Sequence, residues 1–374
     1  MTTTMMVNGL EGVIAADTRL SDVDGERGRL VLCGHDVEEL AMQASFAEAC
    51  ALFLDVSAAD AAQALARGRA LGFDRLSRIG DALEAKDGMD ALRAAAAHLP
   101  DGAPPLEIVG ALATFAAAWA RRQAGESPLA PDAAAEHATD YLRMVRGTAP
   151  AASARALGAY LVTVIDHGMN ASTFTARVVA STGSDLVSSV VAAIGALKGP
   201  LHGGAPGPVL DMLDAIGEPA RAEAWLEGEL AAGRRLMGMG HRIYRVRDPR
   251  AAVLETAVKP LASPRLELAR AVEAAAAKIL RERKPDRPLA ANVEFYTAVL
   301  LDAVGLPREQ FAATFAVGRV AGWSAHVLEQ RRTGRLVRPA SRYIGPMPWP
   351  TRGVCRVPPA CPRRAAGRPG RGCR

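Results

Sequence analysis

Cysteine is scarce and unevenly placed. Of five, Cys355, Cys361 and Cys373 lie near the C-terminus, and only Cys33 and Cys50 lie in the body of the chain. No paired spacing suggests a disulfide framework or a zinc site, so a reducing, cytoplasmic setting is expected. Aromatic residues are also few, at 5%. With alanine abundant, that balance speaks against a β-sandwich and for helices packed closely through small side chains. Long apolar runs are missing as well. The longest, such as Ala111–Ala120, are too short to span a bilayer. Met1–Leu10 has neither the basic nor the apolar region of a signal peptide. No membrane role is expected.

Acidic residues are absent from Trp349 to Arg374, a stretch that holds seven arginines. The formal charge of the whole chain is +5, so removing those seven leaves −2 on the rest. The basic balance therefore belongs to a short tail, and a nucleic-acid-binding body is not expected. The tail is rich in Arg, Pro and Gly and has no aromatic beyond Trp349. It cannot form a packed core, and a flexible, solvated segment over 349–374 is expected.

What is present is apolar content and helical period. The 374 residues are 49% hydrophobic, enough for one large domain or two that share a core. Leu106, Val109, Leu112, Phe115 and Trp119 recur at three- and four-residue spacing. Val187, Val190, Val191, Ile194 and Leu197 do so again and end at Lys198-Gly199-Pro200, a helix stop. Phe311, Phe315, Val320, Trp323 and Val327 form a third stripe. One short strand is expected within Gly28–Cys33, before a helix from about Val37. The fold reads as nearly all-α, without internal repeats.

Three histidines stand in glycine-containing motifs. Asp166-His167-Gly168-Met169-Asn170-Ala171-Ser172 precedes a helical pattern that Asn170 or Ser172 can cap. A histidine beside a helix start can donate to an anionic ligand; a buried structural histidine is the plain alternative. Lys198-Gly-Pro-Leu-His202-Gly-Gly lets a ligand approach the backbone closely, or is an ordinary interhelix turn. In Gly238-Met-Gly240-His241-Arg-Ile-Tyr-Arg-Val-Arg-Asp248-Pro249-Arg250, the glycines form a loop whose N–H groups can face phosphate or adenine. Asp248 reads as an N-cap and Pro249 as the first helical residue. Arg250 then falls in the first turn, positioned to bind a carboxylate. Arg242, Arg245 and Arg247 equally suit a surface charge run. The histidines are 35 and 39 residues apart, without local metal-site spacing or an accompanying cysteine or carboxylate pattern; no metal is expected.

Together these motifs resemble those of the citrate synthases, over about Gly9 to Pro346. Gly199-Pro-Leu-His-Gly-Gly and Gly240-His-Arg-Ile-Tyr followed by Asp-Pro-Arg are highly specific in combination. Phe315-Ala-Val-Gly-Arg319-Val-Ala-Gly-Trp and Val337-Arg338-Pro339 also match. The resemblance implies an all-α homodimer that condenses acetyl-CoA with oxaloacetate and hydrolyses citryl-CoA, without metal or prosthetic group. It implies a large domain over 1–203 and 306–348 and a smaller mobile domain over 204–305. It also implies residue roles. His167 binds oxaloacetate. His202 stabilises the thioester enol or enolate, and His241 polarises and protonates the oxaloacetate carbonyl. Arg250 and Arg319 clamp carboxylates, while Arg338 completes the partner subunit's site. Glu294, in Asn292-Val-Glu-Phe-Tyr, stands where many members carry the aspartate base. Leu236, Gly238, Met239 and Gly240 are placed against CoA adenine, with Arg242, Arg245, Arg247 and Lys259 as candidates for its phosphates. Two other readings remain: a 2-methylcitrate synthase using propionyl-CoA, and a non-catalytic paralogue that binds CoA or acidic metabolites.

Overall fold

The structure, a computed structural model, describes residues 8–10, 12–203, 206–283 and 289–346. The tail from 349 onward, expected to be flexible, lies outside the described residues. Within them the protein is helical apart from one small antiparallel sheet near the N-terminus. Strands β1 (Ser21–Asp24), β2 (Arg29–Leu32) and β3 (His35–Asp36) pair in sequence order. Ser21 lies opposite Leu32, and Asp24 opposite Arg29. The single strand expected within Gly28–Cys33 is β2, whose Leu30 and Leu32 are buried. Its two partners are too short and polar to register as alternating patterns: β1 has one apolar side chain, Val23, and β3 has none.

Fifteen α-helices follow among the described residues. The first five are α1 (Val37–Gln43), α2 (Phe46–Leu54), α3 (Ala58–Arg75), α4 (Gly88–Ala96) and α5 (Pro105–Gln123). Next come α6 (His137–Arg146), α7 (Ala151–Thr163), α8 (Ala171–Ser181), α9 (Leu186–Leu197) and α10 (Pro206–Ile216). The last are α11 (Ala222–Ala231), α12 (Pro249–Val258), α13 (Pro264–Arg283), α14 (Val293–Ala303) and α15 (Phe311–Thr333). Their starts are written locally. Ser45 and Glu48 form a reciprocal capping box on α2, and Ser57, Asp87 and Asp185 cap α3, α4 and α9. No single helix among the described residues is long and apolar enough to cross a membrane.

Small residues set the packing, as the alanine-rich composition predicts. Helices α3 and α5 meet where Gly68 and Gly110 face opposing backbone; a Cβ on either would lie 2.3 Å from a carbonyl oxygen of the other helix. The central element is α15, buried nearly all round and packed against α2, α5, α7, α8 and α9. The chain up to Val337 forms one compact unit, and a second begins at Arg338. In that second unit, residues 338–346 form neither helix nor strand, and Arg338 is exposed.

Candidate active site

Each histidine sits in a junction between helices, where the flanking residues fix its ring. His167 follows α7 in a turn made by Gly168 (φ 60°), and Asn170 then caps α8 by accepting from Thr173 N–H at 3.1 Å. Asn170, rather than Ser172, is thus the cap. Ser172, in the first turn of α8, faces the loop after α9 that carries His202. The Ser172 N–H donates to His202 Nε2 at 3.3 Å, and the Ser172 hydroxyl lies 2.8 Å from the same nitrogen. Buried Trp323 on α15 donates its indole N–H to that hydroxyl at 3.1 Å. Because Nε2 accepts a backbone N–H, the proton of the neutral ring sits on Nδ1.

His241 is locked the opposite way. Its Nδ1 accepts the N–H groups of Ile243 at 3.0 Å and Tyr244 at 3.1 Å, so Nε2 carries the proton. Burial first, and Arg319 second, push His202 down to about 4. Burial and Arg250 push His241 down to about 4 as well. Both are therefore neutral donors at neutral pH. His167 is held well below its usual value by burial, then by Arg250 and His241. Its Nε2 lies 3.1 Å from the Tyr244 hydroxyl, and its ring meets that of His241 edge-on at 5.5 Å.

The charged groups converge on the same place. Arg250 is buried in the first turn of α12, doubly hydrogen-bonded to the N-cap Asp248 at 3.0 and 2.7 Å. Arg319 comes from the middle of α15. Its Nε donates to Val164 O, its guanidinium stacks on Phe315 at 4.7 Å, and its Nη2 is buried with no partner among the described residues. Burial lowers Arg319 to about 10. Glu294 is the second residue of α14, which Asn292 caps. Burial pushes its carboxyl up to about 7, against the opposing pull of Arg250 and Arg319, and its Oε2 has no partner among the described residues. Buried polar atoms normally have partners. A guanidinium N–H and a carboxylate oxygen left unpaired within each other's field make a site for an anionic, polar molecule.

The glycine loop is partly committed to structure. Gly238 (φ 72°) and Gly240 (φ 87°) need the left-handed region, and Met239 bridges to Ala291. The N–H of Gly240 donates to Ala290 O at 2.7 Å, so that donor is engaged internally rather than facing a ligand. The pairing ties the His241 loop to the start of α14, hence to Glu294. Leu236 is buried. Arg247 binds Glu273 and Glu255 and lies over the Tyr296 ring at 5.2 Å. Its charge serves the packing of this loop on α13 and α14. Arg242, Arg245 and Lys259 are exposed. Among the described residues no group of three metal-ligating side chains is found.

Sequence reasoning did not supply the partners of the histidines. Tyr244 and Trp323 stand in the quoted motifs without a role. Tyr160 on α7 was not singled out. It is buried, its hydroxyl has no hydrogen-bond partner among the described residues, and its proton is held far more tightly than usual by burial and then by Glu294.

The fold and site thus define an all-α protein that gathers two neutral histidines, one buried carboxyl of raised pKa and two buried arginines around a place for an anionic, polar molecule. The family described as citrate synthase, C-terminal domain, matches residues 9–340, and the chain belongs to the citrate synthase family, a family of acyltransferases. The citrate synthase of Deinococcus radiodurans is 35% identical over 91% of this chain and 96% of its own length. The 2-methylcitrate synthase of Mycobacterium tuberculosis is 34% identical over 90% of each. Among solved structures, Thermoplasma acidophilum citrate synthase, in its ternary complex with carboxymethyl coenzyme A and oxaloacetate, superposes with a TM-score of 0.83 at 28% identity, covering 92% of this chain and 98% of its own. The fold is that of the citrate synthases.

Proposed function

We propose that the protein condenses acetyl-CoA with oxaloacetate and hydrolyses the resulting citryl-CoA to citrate and CoA. The observation that carries this reading is the pair of neutral, oppositely locked histidines, His202 and His241, around a base raised to about 7. A thioester methyl is a very weak carbon acid. Glu294 removes its proton while His202 Nδ1–H stabilises the negative charge developing on the thioester oxygen. The enolate carbon attacks the keto carbon of oxaloacetate. His241 Nε2–H polarises that carbonyl and protonates its oxygen as the bond forms. Water then cleaves the thioester.

His167, Arg250 and Arg319 bind oxaloacetate, with Arg338 from a second copy completing the clamp in a homodimer. The segment 204–305 moves as a small domain over the remainder, and closure excludes water during condensation. CoA lies along Leu236–Gly240, with Arg242, Arg245 and Lys259 toward its phosphates; Arg247, half-exposed, is instead committed to Glu255 and Glu273. No cofactor takes part, and the enzyme works in the cytoplasm.

Propionyl-CoA is the alternative donor, favoured by the near-equal likeness to a 2-methylcitrate synthase. One methyl in a pocket is worth only ~1–3 kcal/mol, or about 10–200-fold. Release of CoA thiol with each acyl-CoA, measured as kcat/KM in the presence of oxaloacetate, decides. Acetyl-CoA is expected to lead by at least ~10-fold. The reverse order would make the protein a 2-methylcitrate synthase, and no release with either would leave a binding paralogue.

The pH profile follows from the same groups. A protonated Glu294 cannot accept a proton, so kcat/KM is expected to rise with pH through about 7 and then level. The two histidines, at about 4, are already neutral across that window and add no second step. An acid limb that levels below pH 5 would remove Glu294 from the role.

A further inference from the structure

The N-terminal hairpin touches both the turn that carries His167 and the loop that carries His241, although it contributes no site residue itself. At its base, the Ser21 hydroxyl donates to Asp166 Oδ2 and accepts the N–H of Gly168 at 3.0 Å. Those two residues flank His167. Two residues along, on the same face of β1, Val23 presses on the same turn: a Cβ on Gly168 would lie 3.3 Å from Val23 Cγ2. At its tip, Gly25 O accepts the N–H of Arg245 at 2.9 Å, four residues beyond His241. The fit there is close, since a Cβ on Gly25 would meet Ile243 O at 2.4 Å and one on Gly28 would meet Val246 Cγ2 at 2.5 Å.

The hairpin is itself held to the helix that carries Arg319. Arg19 N–H donates to Glu329 Oε1 on α15 at 3.0 Å, and Glu329 is paired with buried Arg177 at 2.7 Å. Arg177 also donates to His326 Nδ1 at 2.8 Å, which leaves His326 Nε2–H to donate to Asp166 Oδ2 at 3.2 Å. Asp166 therefore gathers Ser21, Gly168 N–H and His326 on one oxygen.

We propose that the β1–β2 hairpin is a clip that fixes the His167 turn relative to the His241 loop, with Ser21 as a positioning residue for oxaloacetate. This rests on the functional reading above. A serine suits the post because its hydroxyl donates to one group and accepts from another at once. Alanine there leaves the Gly168 N–H without its serine partner and takes one donor from Asp166, so the His167 turn loses its register. Among the described residues no hydrogen bond joins the hairpin to the His202 junction, whose partners Ser172 and Trp323 stand on α8 and α15; its link to the His167 turn runs through Asn170, which caps α8 independently of Ser21. Oxaloacetate binding should therefore suffer, and handling of the acyl-CoA should not.

The test compares full-length wild type, Ser21→Ala and Ser21→Thr by calorimetric titration of oxaloacetate, steady-state kinetics and thermal unfolding. Ser21→Ala is expected to weaken oxaloacetate binding by ~10-fold, with kcat and the KM for acyl-CoA within about 3-fold of wild type; Ser21→Thr, which keeps the hydroxyl, should recover most of the loss. Should Ser21→Ala fail to fold, Val23→Ala, which only removes methyls from the Gly168 contact, is expected to weaken oxaloacetate binding by about 3-fold. Unchanged oxaloacetate affinity in the alanine variants would overturn the proposal. So would equal loss for both substrates accompanied by a lower unfolding temperature. Wild type that binds no oxaloacetate would instead overturn the functional reading, and the clip with it.

Discussion

Glu294→Gln is expected to lower condensation by about 10²–10⁴-fold while leaving oxaloacetate binding intact and making the protein more resistant to unfolding at pH 8. The two effects share one cause. Burial is the largest influence on this carboxyl, and it raises the pKa from 4.5 to about 7 even against Arg250 and Arg319. Between those values the folded state holds a proton that the unfolded state has lost. The contribution of this group to stability is therefore complete below about pH 4.5 and disappears as pH rises through about 7. At pH 8 the native enzyme keeps a buried charge that glutamine would not. The relative gain of the variant between pH 5 and pH 8 is bounded at about 3 kcal/mol by the size of the shift. Thermal unfolding at the two pH values measures it, and a thiol-release assay measures the loss of turnover. Turnover within about 3-fold of wild type would dismiss Glu294 as the base. A stability difference that does not grow with pH would contradict its burial as a charged group.

The hairpin, the histidine locks and Glu294 differ in how legible they were. Helices such as α5, α9 and α15 were readable from apolar spacing because each buries a long stripe. The Asp248-Pro249-Arg250 helix start was readable because capping is local. The three histidines could be located by their glycines, since a glycine marks a place where the backbone turns sharply or approaches something closely. Their protonation states could not be read. His202 is set by Ser172, 30 residues away, and by burial that only the packed helices create. Trp323 reaches Ser172 across 151 residues, and Ser21 reaches Asp166 across 145. Nothing in the spacing of a serine and an aspartate so far apart announces a hydrogen bond. The same holds for Arg247. The family resemblance made it a candidate phosphate ligand and its arginine neighbours equally suited a surface charge run, yet Glu255 and Glu273 are brought to it by α12 and α13.

Replacing His202 by alanine should separate the two halves of the site. The loss expected in kcat is about 10²–10³-fold, equivalent to ~2.7–4 kcal/mol, the usual cost of removing one oriented donor to an oxyanion. Oxaloacetate affinity should be nearly unchanged, because His202 is held by the first turn of α8, whereas His167, His241 and Tyr244 form their own ring cluster. His241→Ala makes the contrast: it removes a ring in edge contact with His167 and must disturb oxaloacetate as well as turnover. The residual activity of His202→Ala should keep the acid limb near pH 7, since Glu294 still sets it and His202, neutral down to about 4, never contributed to it. Steady-state kinetics from pH 5.5 to 8.5 with a separate oxaloacetate titration would check both points. A limb displaced by the substitution would mean that His202 exchanges protons during the reaction; an unmoved limb with a lowered plateau is what a fixed neutral donor produces.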